Sequence, residues 1–349
     1  MYPQQLQQVH PNLTIQWASN DHYFATRGYE IFFSGDEGKS WQSKGKIRRG
    51  ILSSAAANPL IAQVGRLGIQ SLLQLASKSI LCIADGVLYR TDSIEYNFTS
   101  VFSEFTGRRP MRMGVCQDNL GRIFFGEYFY NREQREVRLW RSDDDGFSWF
   151  PVQTWRSGKI RHIHFVQFDP YEQVIWVGTG DEDHECQVMY SDDGGENFTV
   201  VGIGSQLWRA GSLVFTPQAI YWGTDIGIDH NDQPNKIIRF DRATGKIDIV
   251  QPAPGPAYYS VQLKDGTVVI GTCVEQPNAN NDEYIHILWS KDLNHWNDLP
   301  LYKKIKLPNI FGPAVIAFPL SDAPLNNLVF NLYLTRKFNG SLLQISLQR

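Results

Sequence analysis

Nothing in the chain approaches a run of about eighteen apolar residues, so no segment reads as a membrane-spanning helix. Its first ten residues, Met-Tyr-Pro-Gln-Gln-Leu-Gln-Gln-Val-His, carry neither a basic n-region nor an apolar h-region. That absence predicts a cytoplasmic protein, with a secreted or periplasmic one as the alternative if a leader has been removed. Excess positive charge is also missing. Lys and Arg total 33 against 36 Asp and Glu, the net charge is −3 and the pI is near 6.2. A nucleic-acid partner, which would want a basic surface, is argued against. Cysteine is scarce: Cys82, Cys116, Cys186 and Cys273 fall in or near expected strands without metal-ligand spacing. A reduced, structural role fits them better than a disulfide or a zinc site. No low-complexity tract or linker interrupts the 349 residues.

What is present is a repeat. Ser34-Gly-Asp36-Glu-Gly38-Lys-Ser40-Trp41, Ser142-Asp-Asp144-Asp-Gly146-Phe-Ser148-Trp149 and Ser191-Asp-Asp193-Gly-Gly195-Glu-Asn197-Phe198 share the pattern Ser-x-Asp-x-Gly-x-(Ser/Asn)-aromatic. Each follows an apolar strand-like run, at Glu30–Phe33, Val137–Arg141 and Gln187–Tyr190. A shorter fourth copy is Ser290-Lys-Asp292-Leu-Asn294-His-Trp296. The short polar side chains suit hydrogen bonds to backbone two residues on, and glycine supplies a positive φ. These residues are expected to hold hairpin turns, not to do chemistry.

Spacing turns the repeat into a ruler. Register residues 34, 91, 142, 191, 241, 290 and 346 are separated by 57, 51, 49, 50, 49 and 56. Two degenerate copies, Val87–Thr91 with Phe98 and Lys236–Gly245, fill the long gaps, and Leu342–Ser346 restates the incoming strand. Seven units of about fifty residues predict an all-β fold: a single seven-bladed β-propeller with four-stranded blades over residues 1–349. The seventh unit ends without an outermost strand, and Gln4–His10, ahead of the first innermost strand Leu13–Ala18, is free to supply it and close the ring. Gly45–Gln63 reads as one extended inter-blade loop. With 42% hydrophobic and 13% aromatic residues, a large core is affordable, and the unbroken repeat overrides a two-domain expectation from length.

In this frame the Asp turns lie on one face, and the loops between second and third strands, with the inter-blade connections, lie on the other. That second face collects Glu127 and Tyr128, Asp181–Glu185, Asp225–Asp232 and Arg336, together with Arg112, Arg161, His162, His164, Trp208 and Arg209. His162 and His164 share a strand parity and should face one way, into the channel. Each has an ordinary alternative: acids and glycines at strand ends form turns, paired histidines are satisfied core residues, and arginines pair with the acids opposite.

The Ser-x-Asp-x-Gly units resemble the Asp-boxes of the sialidase-like BNR-repeat superfamily. The early Arg-Ile-Pro motif of true sialidases is absent and the count is seven, so the resemblance is to seven-bladed polysaccharide lyases and hydrolases. Ser205-Gln-Leu-Trp208-Arg209 and Tyr221-Trp-Gly-Thr-Asp225 are similar to BNR proteins linked to bacterial exopolysaccharides. The resemblance implies an enzyme that cleaves a glycosidic bond of an acidic, uronate-containing oligo- or polysaccharide by elimination or hydrolysis. Arg161 and Arg209, with Arg112 or Arg336, would bind the uronate carboxylate, Trp208 beside them. His162 or His164 would be the general base and Tyr128 or His230 the general acid. For hydrolysis, two of Glu127, Asp181, Asp183 and Asp225 would serve. No cofactor is demanded, although the same carboxylates with His184 or His230 suit Ca²⁺ or Mn²⁺. The alternative is a non-catalytic propeller that binds glycan or protein as a scaffold in exopolysaccharide synthesis or export.

Overall fold

A computed structural model describes residues 6–50, 56, 67–91, 96–230, 232–275, 282–306 and 312–347. The apolar runs between turns form seven four-stranded antiparallel sheets, arranged as the blades of a propeller. Blade one runs Thr14–Ala18, Tyr23–Arg27, Glu30–Ser34, Gln42–Lys46, from the channel outward; blade four runs His162–Asp169, Val174–Gly180, Gln187–Ser191, Thr199–Ile203. Blade seven is assembled from both ends of the chain. Its inner strands are Val315–Ala317, Leu328–Tyr333 and Leu342–Ile345, and Leu6–His10 is the outermost, with Leu6 opposite Ile345 and Gln8 opposite Leu343. The ring therefore closes as expected, by an N-terminal strand. Of the expected loop Gly45–Gln63, the first residues finish the outer strand of blade one, and 51–55 and 57–63 lie outside the described residues.

The blades dock through a recurring pair of features. A glycine near the end of a second strand faces the inner strand of the next blade: a Cβ on Gly126 would meet Ile163 at 2.5 Å, on Gly223 Ala257 at 2.4 Å, and on Gly271 Ile316 at 2.3 Å. Beside this contact runs a main-chain hydrogen bond between blades. The amides of Ile69, Ile163 and Ala257 donate to the carbonyls of Gly28 (2.9 Å), Glu127 (3.0 Å) and Thr224 (3.0 Å). Large rings fill the space farther out, among them Phe24, Phe125, Phe165, Trp176 and Trp222, all fully buried.

The Ser-x-Asp turns join third and fourth strands, as the repeat frame requires. Ser142 Oγ donates to Asp144 Oδ1 (2.9 Å) and accepts from the Gly146 amide (2.9 Å), while Asp144 takes the Ser148 amide (2.8 Å) and hydroxyl (2.6 Å). Gly146 stands at φ 88°, where a side chain would be strained. The Ser34 and Ser191 turns repeat the net, with Asn197 in place of the second serine.

Inner strands carry a second regularity. The ladder to the neighbouring strand slips by one residue between Ile15 and Trp17, Ile69 and Ser71, Ile163 and Phe165, and Ala257 and Tyr259. The extra residues at these β-bulges are Gln16, Gln70, His164 and Tyr258. Bulges re-aim a side chain, and these four lie at the end of the channel away from the Asp turns.

Two outcomes test the turns. Ser142→Ala removes a fully buried hydroxyl that satisfies two partners and should cost about 1–2 kcal/mol in urea unfolding. Hydrogen bonds from Ser40 and from the Asn197 amide hold Asp36 and Asp193 at a pKa of about 2, below the ordinary 3.8. Their contribution is whole above pH 4 and is lost as the pH falls toward 2. Asp36→Asn with Asp193→Asn should flatten the melting-temperature profile across that window; an unchanged profile would refute the assignment.

Candidate functional site

The first strand of blade four opens with His162 and carries its bulge at His164. Both imidazoles face each other and Asp181 at this end of the strand. Gly180, at the end of the neighbouring strand, leaves room for them: a Cβ there would lie 2.9 Å from His164 Cε1. The rings stack with centroids 5.0 Å apart, and their Nε2 atoms are 3.1 Å from each other. Asp181 follows Gly180, and its Oδ1 lies 3.5 Å from His162 Nε2 and 3.3 Å from His164 Nε2. Each ring turns Nδ1 to a backbone carbonyl, His162 to Phe129 O and His164 to Ala210 O, both at 3.3 Å. Both histidines are buried.

Two guanidinium groups flank this centre, and carboxylates hold both. Arg209, on the connection into blade five, reaches Asp181 Oδ1 at 3.0 Å and Asp229 Oδ1 at 3.1 Å. Arg161 pairs with Glu182, with Asp181 Oδ2 at 3.5 Å and with Glu185 Oε1 at 3.7 Å. Asp225 is buried, its Oδ2 is 4.0 Å from His164 Nδ1, and its Oδ1 has no hydrogen-bond partner. The two aspartates are driven apart electrostatically. Burial would raise Asp181, but contacts from both histidines and the charge of Arg209 hold it well below the usual carboxylate range. Burial pushes Asp225 well above that range; Arg209 opposes the shift, and Glu275, Asp181 and Asp229 add to it. Burial also lowers His164, with Asp181 pulling the other way.

Of the residues expected here, His162, His164, Asp181, Arg161, Arg209 and Asp225 converge. Tyr128 joins them, its ring 4.3 Å from His162, with burial and the carboxylates of Asp181 and Asp225 raising its phenol. His230 stands just outside, 3.3 Å from Glu182 Oε2 and grouped with Asp229. His184 is exposed and 4.0 Å from Glu185, and Asp183 accepts from Gln206 at 2.8 Å.

The others are placed differently. Glu127 is fully buried, and its carboxylate accepts from the Thr106 and Arg138 amides and the Trp140 indole, so it ties blade three together. Arg112 donates to the carbonyls of Ile15 (2.8 Å) and Phe318 (3.1 Å), bridging inner strands across the channel. Trp208 stacks on Trp222 at 5.7 Å and fills the space above Gly202, where a Cβ would lie 2.0 Å from it. Arg336 lies against Lys303 and Lys304 between blades six and seven, donating to their carbonyls.

Arg109 takes the place expected of Arg112. It is exposed, its charge acts on the phenols of Tyr128, Tyr259 and Tyr333, and no ion pair engages it among the described residues. Tyr258 occupies the same bulge position in blade six as His164 in blade four, and donates to Glu275 at 2.5 Å. Its place was hidden because a bulge breaks the strand parity by which inward residues are read. A cavity of about 390 Å³ occupies the opposite end of the channel, lined by Trp17, Leu73, Met113, Val115, Leu213 and Leu320 among others. Its wall is mainly apolar, so the reactive side chains are at the other mouth.

No protein-family model and no curated protein matches the chain. Solved structures share the fold. A Niastella koreensis GH74 enzyme aligns at TM-score 0.54 and 16% identity, over 85% of this chain and 47% of its own. An ancestral GH74 enzyme aligns at 0.57 and 13%, over 94% and 45%. The extracellular domain of a B. thetaiotaomicron protein described as a hybrid two-component system aligns at 0.59 and 10%, over 99% and 40%. The chain spans less than half the length of each. At these identities the likeness shows the fold alone. Among the described residues, no helix is long and apolar enough to cross a membrane, and all four cysteines are free.

The split between the aspartates predicts opposite tolerances. Asp181→Asn removes the charge that both arginines lean on and should cost about 3 kcal/mol in urea unfolding. Asp225→Asn replaces a carboxyl already disfavoured as an anion and should change stability by under about 1 kcal/mol. Equal losses for the two would contradict the electrostatic reading.

Proposed function

We propose that this mouth binds a uronate-containing oligo- or polysaccharide and cleaves a glycosidic bond in it, by elimination or hydrolysis. One observation carries the reading. Tyr128, His162, His164, Asp181, Arg209 and Asp225 come from consecutive blades and meet within a few ångströms, at a solvent-facing mouth on a rigid scaffold. That two similar structures are of GH74 enzymes is compatible with carbohydrate chemistry on this fold.

The geometry redistributes the roles. Arg161 and Arg209 are neutralised by carboxylates, so they orient Asp181 and its neighbours instead of receiving the substrate. Arg109, exposed and without an ion pair among the described residues, is the cation suited to a uronate carboxylate. The histidine nitrogens are turned to one another, to Asp181 and to carbonyls, which leaves Tyr128 and the buried Asp225 as the proton-transferring groups.

Turnover of uronate oligosaccharides tests this, with an unsaturated product marking elimination and a saturated one hydrolysis. Arg109→Ala should raise KM about tenfold or more with a smaller change in kcat, and Tyr128→Phe should lower kcat by about 10²-fold or more. Full turnover by both variants would overturn the assignment. Binding of these glycans with no product from the wild type would favour the scaffold reading.

A further inference from the structure

The hydrogen positions around His162 and His164 do not close without an added positive charge. Four ring nitrogens are involved, and every one faces an acceptor. The two Nδ1 atoms face the carbonyls of Phe129 and Ala210 at 3.3 Å. The two Nε2 atoms face each other at 3.1 Å, and both face Asp181 Oδ1 at 3.3–3.5 Å. Two neutral imidazoles bring only two protons. A carbonyl offers no hydrogen, so protons placed on the two Nδ1 atoms satisfy both carbonyl contacts. Both Nε2 lone pairs and the carboxylate then converge on one point with nothing between them.

We propose that His162 Nε2, His164 Nε2 and Asp181 Oδ1 form a binding site for a divalent first-row transition-metal ion. The three atoms make a triangle of 3.1, 3.3 and 3.5 Å sides. A point about 2 Å from all three lies close to its centre, which is the ordinary length of a metal bond to imidazole or carboxylate. The outer contacts are those that a metal-bound imidazole needs: each Nδ1–H is committed to a backbone carbonyl, fixing the tautomer and aiming Nε2 inward. The charge of Arg209, its guanidinium 3.0 Å from Asp181 Oδ1, holds the carboxylate in place. A second, independent observation agrees. Asp225 is 94% buried beside the His164 ring, its Oδ2 4.0 Å from Nδ1, and its Oδ1 has no hydrogen-bond partner, a polar atom left unsatisfied next to the triangle.

The donor set selects the ion. Two imidazole nitrogens and one oxygen suit zinc, cobalt or manganese better than calcium or magnesium, which prefer all-oxygen shells. Three protein ligands leave positions open for water or a substrate oxygen. Glu182, Asp229 and His230 form a second group beyond the two arginines, and it is the natural competitor. The inference does not depend on the proposed reaction, because binding is read without substrate.

The whole protein, stripped with a chelator and dialysed, should take up one equivalent of Zn²⁺ by calorimetry and melt at a higher temperature with it. Co²⁺ in its place should give visible d–d bands of a nitrogen-ligated site. His164→Gln and Asp181→Asn should each weaken Zn²⁺ binding by about 100-fold or more, beyond the 10–100-fold typical of outer-shell changes, and abolish the bands. His230→Gln should leave the affinity within about threefold. Circular dichroism of the metal-free variants checks that they fold, and the wild-type Co²⁺ spectrum stands if one does not. Failure of the wild type to bind a stoichiometric ion would overturn the proposal, and so would loss of binding in His230→Gln with His164→Gln unaffected.

Discussion

The molecule depends on how one blade is allowed to approach the next. A glycine where the second strand ends removes the only atom that would hold the following inner strand away, and a main-chain hydrogen bond then fastens the two. Gly126 with Ile163, Gly223 with Ala257 and Gly271 with Ile316 repeat this contact around the ring. A Cβ at any of them would sit at 2.3–2.5 Å from its neighbour, closer than real atoms come. The same contact decides where function can lie. Just beyond it, each second strand releases its loop beside the first residues of the next inner strand. Side chains from consecutive blades are thereby delivered to one place without any long loop.

At blades three to five this geometry assembles an unusual charge balance. Five carboxylates, of Asp181, Glu182, Glu185, Asp225 and Asp229, surround Arg161 and Arg209. Placing so many acids in a partly buried volume is costly unless cations compensate. The arginines do so only in part, which is why Asp225 is forced away from its anion while Asp181 keeps its charge. Such a site has a standing demand for positive charge, whether supplied by a metal at the histidines or by protons.

The repeat frame was fully legible in the chain because turn chemistry is local. Ser, Asp and Gly at fixed offsets specify a hairpin within eight residues, and their spacing counted seven blades and foresaw the strand exchanged between the termini. The site was legible only in part. His162, His164, Asp181, Arg209 and Asp225 were expected on one face by strand order alone, and they meet there. Arg112, Glu127 and Trp208 satisfied the same rule, yet they serve the scaffold, because a position at a strand end does not say whether backbone amides or an empty mouth await the side chain. Arg109 and Arg112 are three residues apart, and only tertiary contact separates the bridging one from the open one.

The bulges show how a propeller with weak internal symmetry gathers its buried titratable groups in one sector. In the four inner strands bulged among the described residues the extra residue is polar or aromatic: Gln16, Gln70, His164 and Tyr258. The backbone device is thus common, and the residue placed on it is not. Gln16 spends its amide on Thr26 and the Ile69 carbonyl, stitching blade one to blade two. His164 faces another imidazole and a carboxylate instead, at 3.1 and 3.3 Å. A backbone position that stitches two blades together in one case presents an imidazole to a carboxylate in the other. The same bulge therefore serves cohesion between blades in one place and gathers titratable side chains in another.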